Sequence, residues 1–141
     1  MTHPLRDYIG FQILQIHKAH RNRAESAFNR LGLHTGQEMV LFQLWREEGV
    51  TQSQLAGTLC VGPATITKSV KRLEKAGLVQ RKQDADDARV SRVYLTPRGR
   101  ELEAPVRQVW DELEALTVQG LSDEEQARLR RLLQKMEDNL T

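Results

Sequence analysis

The chain has 141 residues, of which 39% are hydrophobic, and a formal net charge of +2; this is enough apolar content for the core of one domain and excludes a disordered tail. The longest unbroken apolar run is Met39-Val40-Leu41-Phe42, far below the ~20 residues that cross a bilayer, and the first residues do not resemble a signal peptide. Cys60 is the single cysteine, so no disulfide can form within the chain, and we expect a soluble cytoplasmic protein.

The charge is unevenly distributed along the chain. Residues 1–50 have a net charge of +1, residues 51–100 have +6, and residues 101–141 have −5. A basic middle segment favours a polyanion as the partner of that segment alone. Chance clustering of charges on solvated faces is the alternative explanation.

The first predicted element is a long helix. Apolar residues recur at three- and four-residue steps from Leu5 to Leu31, and Gly32 marks the end of the pattern. A second helix is expected to begin at a capping box formed by Thr35 and Glu38 and to run to Gly49.

Two shorter helices, separated by a tight break, follow in the sequence. Thr51 and Gln54 are spaced as a capping box that opens the third helix. The fourth helix is expected to begin with Pro63, because proline suits a first helical position. It is predicted to continue to Lys75 and to be closed by Ala76-Gly77.

The hydrophobic period then changes to two, which predicts two strands at 78–82 and 91–95. The polar run 83–89 between them is predicted to be the tip of a hairpin. Thr96-Pro97 has the form of a cap followed by proline in a first helical turn, so a fifth helix is expected here. Pro105 is expected to kink that helix.

A last helix is predicted after Gly120, from a capping box formed by Ser122 and Glu125. The expected fold is therefore mainly α with a small β-hairpin wing. A short helix, a turn, a second helix and a hairpin together form a winged helix-turn-helix, to which a helical dimerisation domain is added. The expected core of the winged lobe is Phe42, Trp45, Leu55, Leu59, Ile66, Val70, Leu73, Val79, Val93 and Leu95.

The fourth helix has one apolar and one cationic face. At about 100° per residue, Ile66, Val70 and Leu73 face the core, and the remaining surface carries Ala64, Thr65, Thr67, Lys68, Lys71, Arg72 and Lys75. Short residues at the amino end let the backbone approach base edges, and the lysines further along suit phosphates. The pattern favours a helix that enters a DNA groove; the alternative is an ordinary amphipathic helix with a solvated lysine face.

The hairpin tip ends in Asp87-Ala88-Arg89. An arginine at the end of a polar loop can reach into a narrow minor groove, where the potential is most negative, and an aspartate two residues earlier can fix its direction through an ion pair. Because Asp84, Asp86 and Asp87 repel phosphates, few other contacts with the DNA backbone are expected from this loop; Arg92 is the further candidate. The alternative is a solvated turn that contains Asp because Asp favours turns.

The ordered set of these motifs resembles the MarR family of transcriptional regulators over nearly the whole chain. The resemblance is carried by Thr51-Gln52-Ser53-Gln54-Leu55-Ala56, Pro63-Ala64-Thr65-Ile66-Thr67, Val70-Lys71-Arg72-Leu73-Glu74-Lys75-Ala76-Gly77-Leu78-Val79, Asp87-Ala88-Arg89 and Val93-Tyr94-Leu95-Thr96-Pro97-Arg98-Gly99. It implies a triangular homodimer whose two winged lobes bind adjacent major grooves of a pseudo-palindromic operator in double-stranded DNA. It also implies a repressor that a small-molecule effector releases.

The same resemblance implies which residues contact DNA. Arg89 would be the wing arginine and Asp87 its partner, and the recognition helix would use Ala64, Thr65, Thr67, Lys68, Lys71 and Arg72. The chain departs from many family members at Ala88, where they carry a further basic residue. This difference concerns the strength of wing binding rather than its geometry.

Three predicted helices carry apolar stripes that one winged lobe cannot bury: Ile9, Ile13, Ile16, Val109, Trp110, Leu113, Leu129, Leu132 and Met136. A two-fold pairing of these helices is the simplest way to cover them. We therefore expect a single MarR-like domain over residues 1–141, with a DNA-binding lobe at 35–97 and dimerisation helices at 1–31 and 98–141. Two recognition helices about 34 Å apart would match one turn of DNA.

Family resemblance also implies a cleft between the dimer helices and the winged lobe for a small aromatic or acidic effector, with the candidates His17, His20, Arg21, Met39 and Trp45. His17 and His20 are three residues apart, a spacing at which histidines can share a metal. No acidic or thiol third ligand is obvious nearby, so neither a metal site nor a cofactor is expected. Cys60 lies between apolar neighbours and is expected to be a small buried core residue.

An enzyme is not expected, because no Ser/His/Asp set, glycine-rich phosphate loop or metal triad has the spacing that chemistry needs. Two alternatives to an effector-released repressor stay open. One is a metal- or thiol-responsive regulator of the same fold, and the other is a winged helix used for contact with protein or RNA. No membrane partner is expected.

Overall fold

The computed structural model describes residues 4–34 and 36–141, and within these ranges a 3₁₀ turn at Pro4–Asp7 precedes seven α-helices and three short strands. In chain order the elements are α1 (Ile9–Arg30), α2 (Gln37–Arg46), β1 (Val50–Thr51), α3 (Gln52–Leu59), α4 (Pro63–Lys75), β2 (Val79–Gln83), β3 (Ser91–Leu95), α5 (Pro97–Glu101), α6 (Glu103–Thr117) and α7 (Asp123–Leu140). Thr35, half of one predicted capping box, lies outside the described residues; the N-cap of α2 is Gly36, and this helix ends at Arg46 rather than at Gly49.

Two of the predicted capping boxes are formed. Thr51 Oγ1 accepts the backbone N–H of Gln54 at 3.1 Å, and Gln54 Oε1 accepts the backbone N–H of Thr51 at 2.8 Å. Ser122 and Glu125 exchange the same two bonds at 3.1 and 3.0 Å before α7. Each box satisfies two backbone donors that a helix start leaves unpaired, so the predicted starts of α3 and α7 are confirmed.

The sheet has three antiparallel strands in the order β1-β3-β2. Val93 in the middle strand lies opposite both Val50 of β1 and Arg81 of β2. The hairpin strands were predicted to within one residue, but β1 was not predicted, because two residues are too few for a period of two to be visible. This added strand joins the start of α3 to the base of the wing.

The helix that was expected to bend at Pro105 is instead interrupted three residues earlier. α5 ends at Glu101, α6 begins at Glu103, and Leu102 lies between them. Pro105 has no N–H to donate to the Glu101 carbonyl, and its ring would clash with that carbonyl. Residues 97–117 therefore form two helices rather than one, although Leu102 between them keeps right-handed helical angles of φ −74° and ψ −13°. The first helix also begins later than predicted, at Ile9 rather than at Leu5.

The core of the winged lobe lies between α2, α3, α4 and the sheet. Seven of the ten predicted core residues are buried, and Phe42, Trp45 and Leu59 are half-buried. Phe28 of α1 and Val106 of α6 belong to the same core and are 2% and 0% exposed. They attach the two long helices to the lobe, so the lobe and the base of the helical part share one core.

α7 contains no buried residue. Leu129, Leu132 and Leu133 stay 40–48% exposed on it, and Ile9 and Ile16 of α1 are exposed as well. The apolar stripes predicted on α1 and α7 are therefore largely uncovered within one chain. The stripe predicted on α6 is not: Leu113 is 8% exposed, and Val109 and Trp110 are half-buried against the core. None of the helices in residues 4–34 and 36–141 is long and apolar enough to span a bilayer.

Candidate nucleic-acid interface

The buried face of α4 determines which side chains of this helix reach solvent. Ile66, Val70 and Leu73 are 0–2% exposed, while Gly62 is the N-cap and Pro63 the first helical residue. The opposite face is exposed and consists of Ala64, Thr65, Lys68, Lys71, Arg72 and Lys75. This face has short side chains at its amino end and cations along the rest of its length.

Thr67 differs from the other candidates on α4 because its side chain is half-buried. Its hydroxyl donates to the carbonyl of Pro63 at 2.9 Å and lies 3.1 Å from Oε1 of Gln52. The hydroxyl therefore ties the first turn of α4 to the start of α3. Only its methyl group remains for a contact outside the chain.

The cations on the exposed face of α4 form no ion pair with any described residue. The acid of this helix, Glu74, lies on the flank and binds Arg81 of β2, whose Nη2 donates to Oε1 at 3.0 Å and whose backbone N–H donates to Oε2 at 3.3 Å. The hydrogen bond from the Arg81 side chain holds the pKa of Glu74 below its ordinary value. Because Arg81 already neutralises this carboxylate, the positive charge of the exposed face is not cancelled.

The wing arginine and its predicted partner are joined by a forked ion pair. Arg89 Nε donates to Asp87 Oδ1 at 3.1 Å, Nη2 donates to Oδ2 at 3.3 Å, and the backbone N–H of Arg89 donates to Oδ1 at 3.0 Å. The Arg89 side chain is nevertheless 90% exposed. These bonds hold the pKa of Asp87 below its ordinary value, and they present an oriented guanidinium at the tip of the hairpin.

Arg92, the other wing cation that was considered for phosphate contact, is used inside the protein. Its Nη1 donates to the carbonyl of Gly49 at 2.8 Å, and its Nε and Nη2 donate to Asp84 Oδ2 at 3.3 and 3.1 Å. Asp84 also accepts the backbone N–H of Asp86 at 3.0 Å. Arg92 therefore fixes the base of the hairpin against the loop before β1 and is not free for a ligand.

The structure does not bring the five effector candidates into one cleft. His20 is half-buried with its ring 5.6 Å from that of Trp110, and it lines a groove of about 220 Å³ between α1 and α6 that contains none of the other four. Trp45 is half-buried and donates its indole N–H to the carbonyl of Gly99. His17, Arg21 and Met39 are exposed. Arg21 forms an ion pair with Glu25 at 3.0 Å.

The prediction that Cys60 is a buried core residue is wrong. The thiol is exposed, and Cys60 ends α3 in the left-handed conformation at φ 55°. The apolar neighbours in sequence gave no warning, because a residue at a helix end turns away from the stripe that precedes it. Among the described residues, no group of three His, Cys, Asp or Glu side chains is placed to hold a metal ion.

Sequence reasoning missed that two polar groups are buried where the long helices meet the lobe. Glu38 Oε2 and Trp110 Nε1 are buried and have no hydrogen-bond partner in the described part of the chain. Burial raises the pKa of Glu38 above its ordinary value. Trp110 packs against the rings of Phe28 and Phe42, with centroid distances of 6.4 and 6.2 Å. Its place in an apolar stripe suggested only a dimer contact.

A short helix, a turn, a second helix with an exposed cationic face and a hairpin beside it define a winged helix-turn-helix protein. The model of the MarR family matches residues 33–91, from just before α2 to the start of β3. The chain belongs to the MarR family of transcriptional regulators.

Relatives and solved structures agree with this assignment. The transcriptional regulator TtmR of Methylorubrum extorquens is 33% identical over 104 residues, which are 74% of this chain and 52% of TtmR; the chain thus spans about half of that relative. A probable transcriptional regulator from Pseudomonas aeruginosa is 32% identical, with a TM-score of 0.81 over 94% of this chain and 98% of the other. MepR of Staphylococcus aureus, solved in complex with DNA, is 25% identical, with a TM-score of 0.85 over 94% and 98%. The named relatives are regulators of transcription rather than enzymes.

Proposed function

We propose that the chain acts as a homodimeric repressor that binds a pseudo-palindromic operator in double-stranded DNA and is released by a small-molecule effector. The observation that carries the proposal is the exposed face of α4, on which short residues are followed by cations that have no carboxylate partner among the described residues. Such a face suits the floor and the borders of a major groove. The complex of MepR with DNA supports this use of the fold.

Each candidate residue has a role in this proposal. Ala64 and Thr65 approach base edges, and Thr67 adds a methyl group. Lys68, Lys71 and Arg72 neutralise phosphates. Arg89 enters the minor groove, and Asp87 orients its guanidinium through the forked ion pair. Such a regulator acts in the cytoplasm, because its operator DNA lies there.

The proposed dimer is supported by α7, an 18-residue helix with no buried residue. A helix with an apolar stripe is stabilised by tertiary packing rather than by its intrinsic propensity, so this stripe needs a partner surface. Pairing of the 1–31 and 98–141 segments of two copies would supply it and leave the 35–97 lobes free for DNA. Sedimentation should show a dimer at micromolar concentration, and Leu132→Glu should shift it to monomer; a monomeric wild type would contradict the dimer.

Selection of bound sequences from a random duplex pool tests the DNA partner. The expected result is a palindrome with half-sites one helical turn apart, about 10 base pairs. The selection is repeated with Lys68→Gln and with Lys135→Gln, a matched control at an exposed position of α7. Enrichment should be weakened by the first substitution and unchanged by the second. A pool without any enriched sequence would overturn the proposal.

The effector is proposed to be a small aromatic or acidic molecule that binds near the junction of the long helices with the lobe. The candidates are His17, His20, Arg21, Met39 and Trp45, and His20 is best supported because it lies against Trp110 beside a groove. Thermal-shift measurements against phenols and aromatic acids, with zinc and peroxide in parallel, should show stabilisation by the first two classes. His20→Ala should remove this stabilisation; stabilisation by zinc alone would favour the metal-responsive alternative.

A further inference from the structure

A groove of about 570 Å³ lies at the carboxyl end of α4. Its lining consists of Gly32, His34, Gln37, Arg72, Lys75 and Ala76, and we call it the cationic groove. Its walls are the loop between α1 and α2, the first residue of α2 and the last turn of α4. It is separate from the amino end of α4, to which the base contacts are assigned above.

The charge of this groove has one sign. No acidic residue is part of the lining, and neither Arg72 nor Lys75 forms an ion pair with a described residue. The amino end of α2 adds the positive end of a ten-residue helix dipole, worth roughly half an elementary charge. The carboxyl end of α4 contributes the opposite sign, which the two cations outweigh. The groove is therefore suited to an anion.

One wall of the groove is held in place by hydrogen bonds within the chain. Gln37 is only 5% exposed. Its side-chain Oε1 accepts the backbone N–H of His34 at 2.9 Å, and its own backbone N–H donates to the His34 carbonyl at 3.1 Å. This reciprocal pair holds the backbone of His34 in place, with its side chain exposed beside the groove.

The position of the groove along α4 indicates which anion it meets. Lys75 follows Ala64 by eleven residues, which is about 16 Å along a helix axis, and at about 100° per residue both lie on the exposed face with Lys68 and Lys71. The major groove of DNA is about 12 Å wide. If the amino end of α4 lies on the groove floor and the helix axis is inclined across the groove, its carboxyl end reaches the phosphate strand that borders the groove.

We infer that the cationic groove holds a backbone phosphate of the DNA strand that borders the half-site, between Arg72 and Lys75 on one side and His34 on the other. This inference rests on the proposed function and extends it. The contact carries affinity without reading bases, so it should be independent of the base sequence at that position. It places the loop between α1 and α2 in contact with the operator.

The first test measures the salt dependence of operator binding by Lys75→Gln, with Lys135→Gln on α7 as the matched control. Loss of one phosphate contact lowers the slope of log K against log salt by about 0.9. Raising the salt from 50 to 200 mM weakens binding by the wild type and by Lys75→Gln, and the factor of weakening should be about 3.5 times smaller for Lys75→Gln. His34→Gln should weaken binding in the same direction, and Lys135→Gln should behave as the wild type.

The second test uses operator duplexes in which single phosphates are replaced by neutral methylphosphonates. One replacement on the bordering strand should weaken the wild type and have no further effect on Lys75→Gln. If Lys75→Gln and His34→Gln bind like the wild type while Lys68→Gln is weakened, the groove is not a phosphate site although the proposed function stands. If the wild type binds no duplex at all, the proposed function itself fails.

A third measurement separates the DNA backbone from a free phosphate as the source of the anion. The protein without DNA is titrated with inorganic pyrophosphate, and binding is followed by calorimetry. Weak, non-saturating heats that are the same for wild type and Lys75→Gln are expected. Saturable binding that Lys75→Gln abolishes and that competes with the operator would overturn the assignment to the DNA backbone.

Discussion

The indole N–H of Trp45 donates to the carbonyl of Gly99 at 2.9 Å across 54 positions of sequence. Gly99 in turn donates its own N–H to Thr96 Oγ1 at 3.1 Å. A Cβ at this position would collide with the carbonyl oxygen of Leu78 and approach Leu95 Cδ2 to 3.1 Å. Gly99 is therefore the point at which α5 packs on the end of the sheet, and any side chain there would separate them.

Gly99→Ala should destabilise the protein. The atom that its methyl group meets is backbone, which cannot rotate away, so we expect a loss of about 1–3 kcal/mol or more in the free energy of unfolding. Urea unfolding at a fixed protein concentration measures it. The matched control is Gly57→Ala in α3, where a Cβ meets no atom within 4 Å; it should gain about 0.5–1 kcal/mol. Equal stability of Gly99→Ala and the wild type would contradict the packing described above.

Glu38→Gln should stabilise the protein, and more so at neutral than at acid pH. The pKa of Glu38 is raised mainly by burial, with Glu25 of α1 adding a like charge. A carboxyl with a raised pKa binds its proton more tightly in the folded than in the unfolded state. The stabilisation that the protonated carboxyl contributes is therefore complete below the pKa of glutamate in the unfolded chain, about 4.3. It is lost as the pH rises through the pKa of Glu38 in the folded protein.

The free energies of unfolding of the wild type and of Glu38→Gln, measured from pH 4 to pH 8, test the predicted direction of this pH dependence. The difference between the two proteins should grow with pH. Glu112→Gln, at an exposed position of α6, is the control and should show no such trend. A difference that shrinks as the pH rises would mean that the ionised form of Glu38 is favoured by folding.

Cys60→Gly should raise the free energy of unfolding by about 0.5–1 kcal/mol. Cys60 ends α3 at φ 55° and ψ 43°, a conformation that costs most residues free energy and glycine almost none. Cys60→Ala keeps the backbone strain and should stay near the wild type. If Cys60→Gly were no more stable than Cys60→Ala in urea unfolding, strain at this helix end would be negligible.

Arg89→Ala should weaken operator binding by about 10-fold, since it removes the oriented wing cation. Asp87→Asn should weaken binding to a smaller extent, because the guanidinium loses its forked partner. Asp86→Asn is the control, as it removes a negative charge from the same loop and should leave binding unchanged or stronger. The operator affinities of the wild type and of these three variants, measured at one salt concentration, test the prediction. Stronger binding by Asp87→Asn would mean that the charge of Asp87, and not its hold on Arg89, controls the wing.

The elements that the sequence predicted well depend on residues close together in the chain. The boxes at Thr51 and Ser122 need only a partner three positions later, and the exposed face of α4 follows from its helical period. The forked pair of Asp87 and Arg89 is similarly local, and its geometry is confirmed. These local features do not depend on how the rest of the chain is arranged.

The features that the sequence did not show depend on residues far apart. Arg92 looked free for phosphate until the fold brought it to Gly49 and Asp84, and Thr67 looked free until α4 lay against Gln52. The cationic groove at Lys75 exists only once the end of α4 meets the loop before α2.

What the amino-acid sequence determined by itself was the order of the main helices and the two hairpin strands, the starts of α3, α4, α5 and α7, the cationic face of α4 and the paired wing arginine. These features depend on short-range hydrogen bonds and on the hydrophobic period within one element. What only the tertiary structure decided was which polar groups are consumed by internal contacts and which remain for a ligand. Buried polar groups need a hydrogen-bond partner, and where that partner lies on another element, as for Arg92 and Trp45, only the packing of the fold selects it.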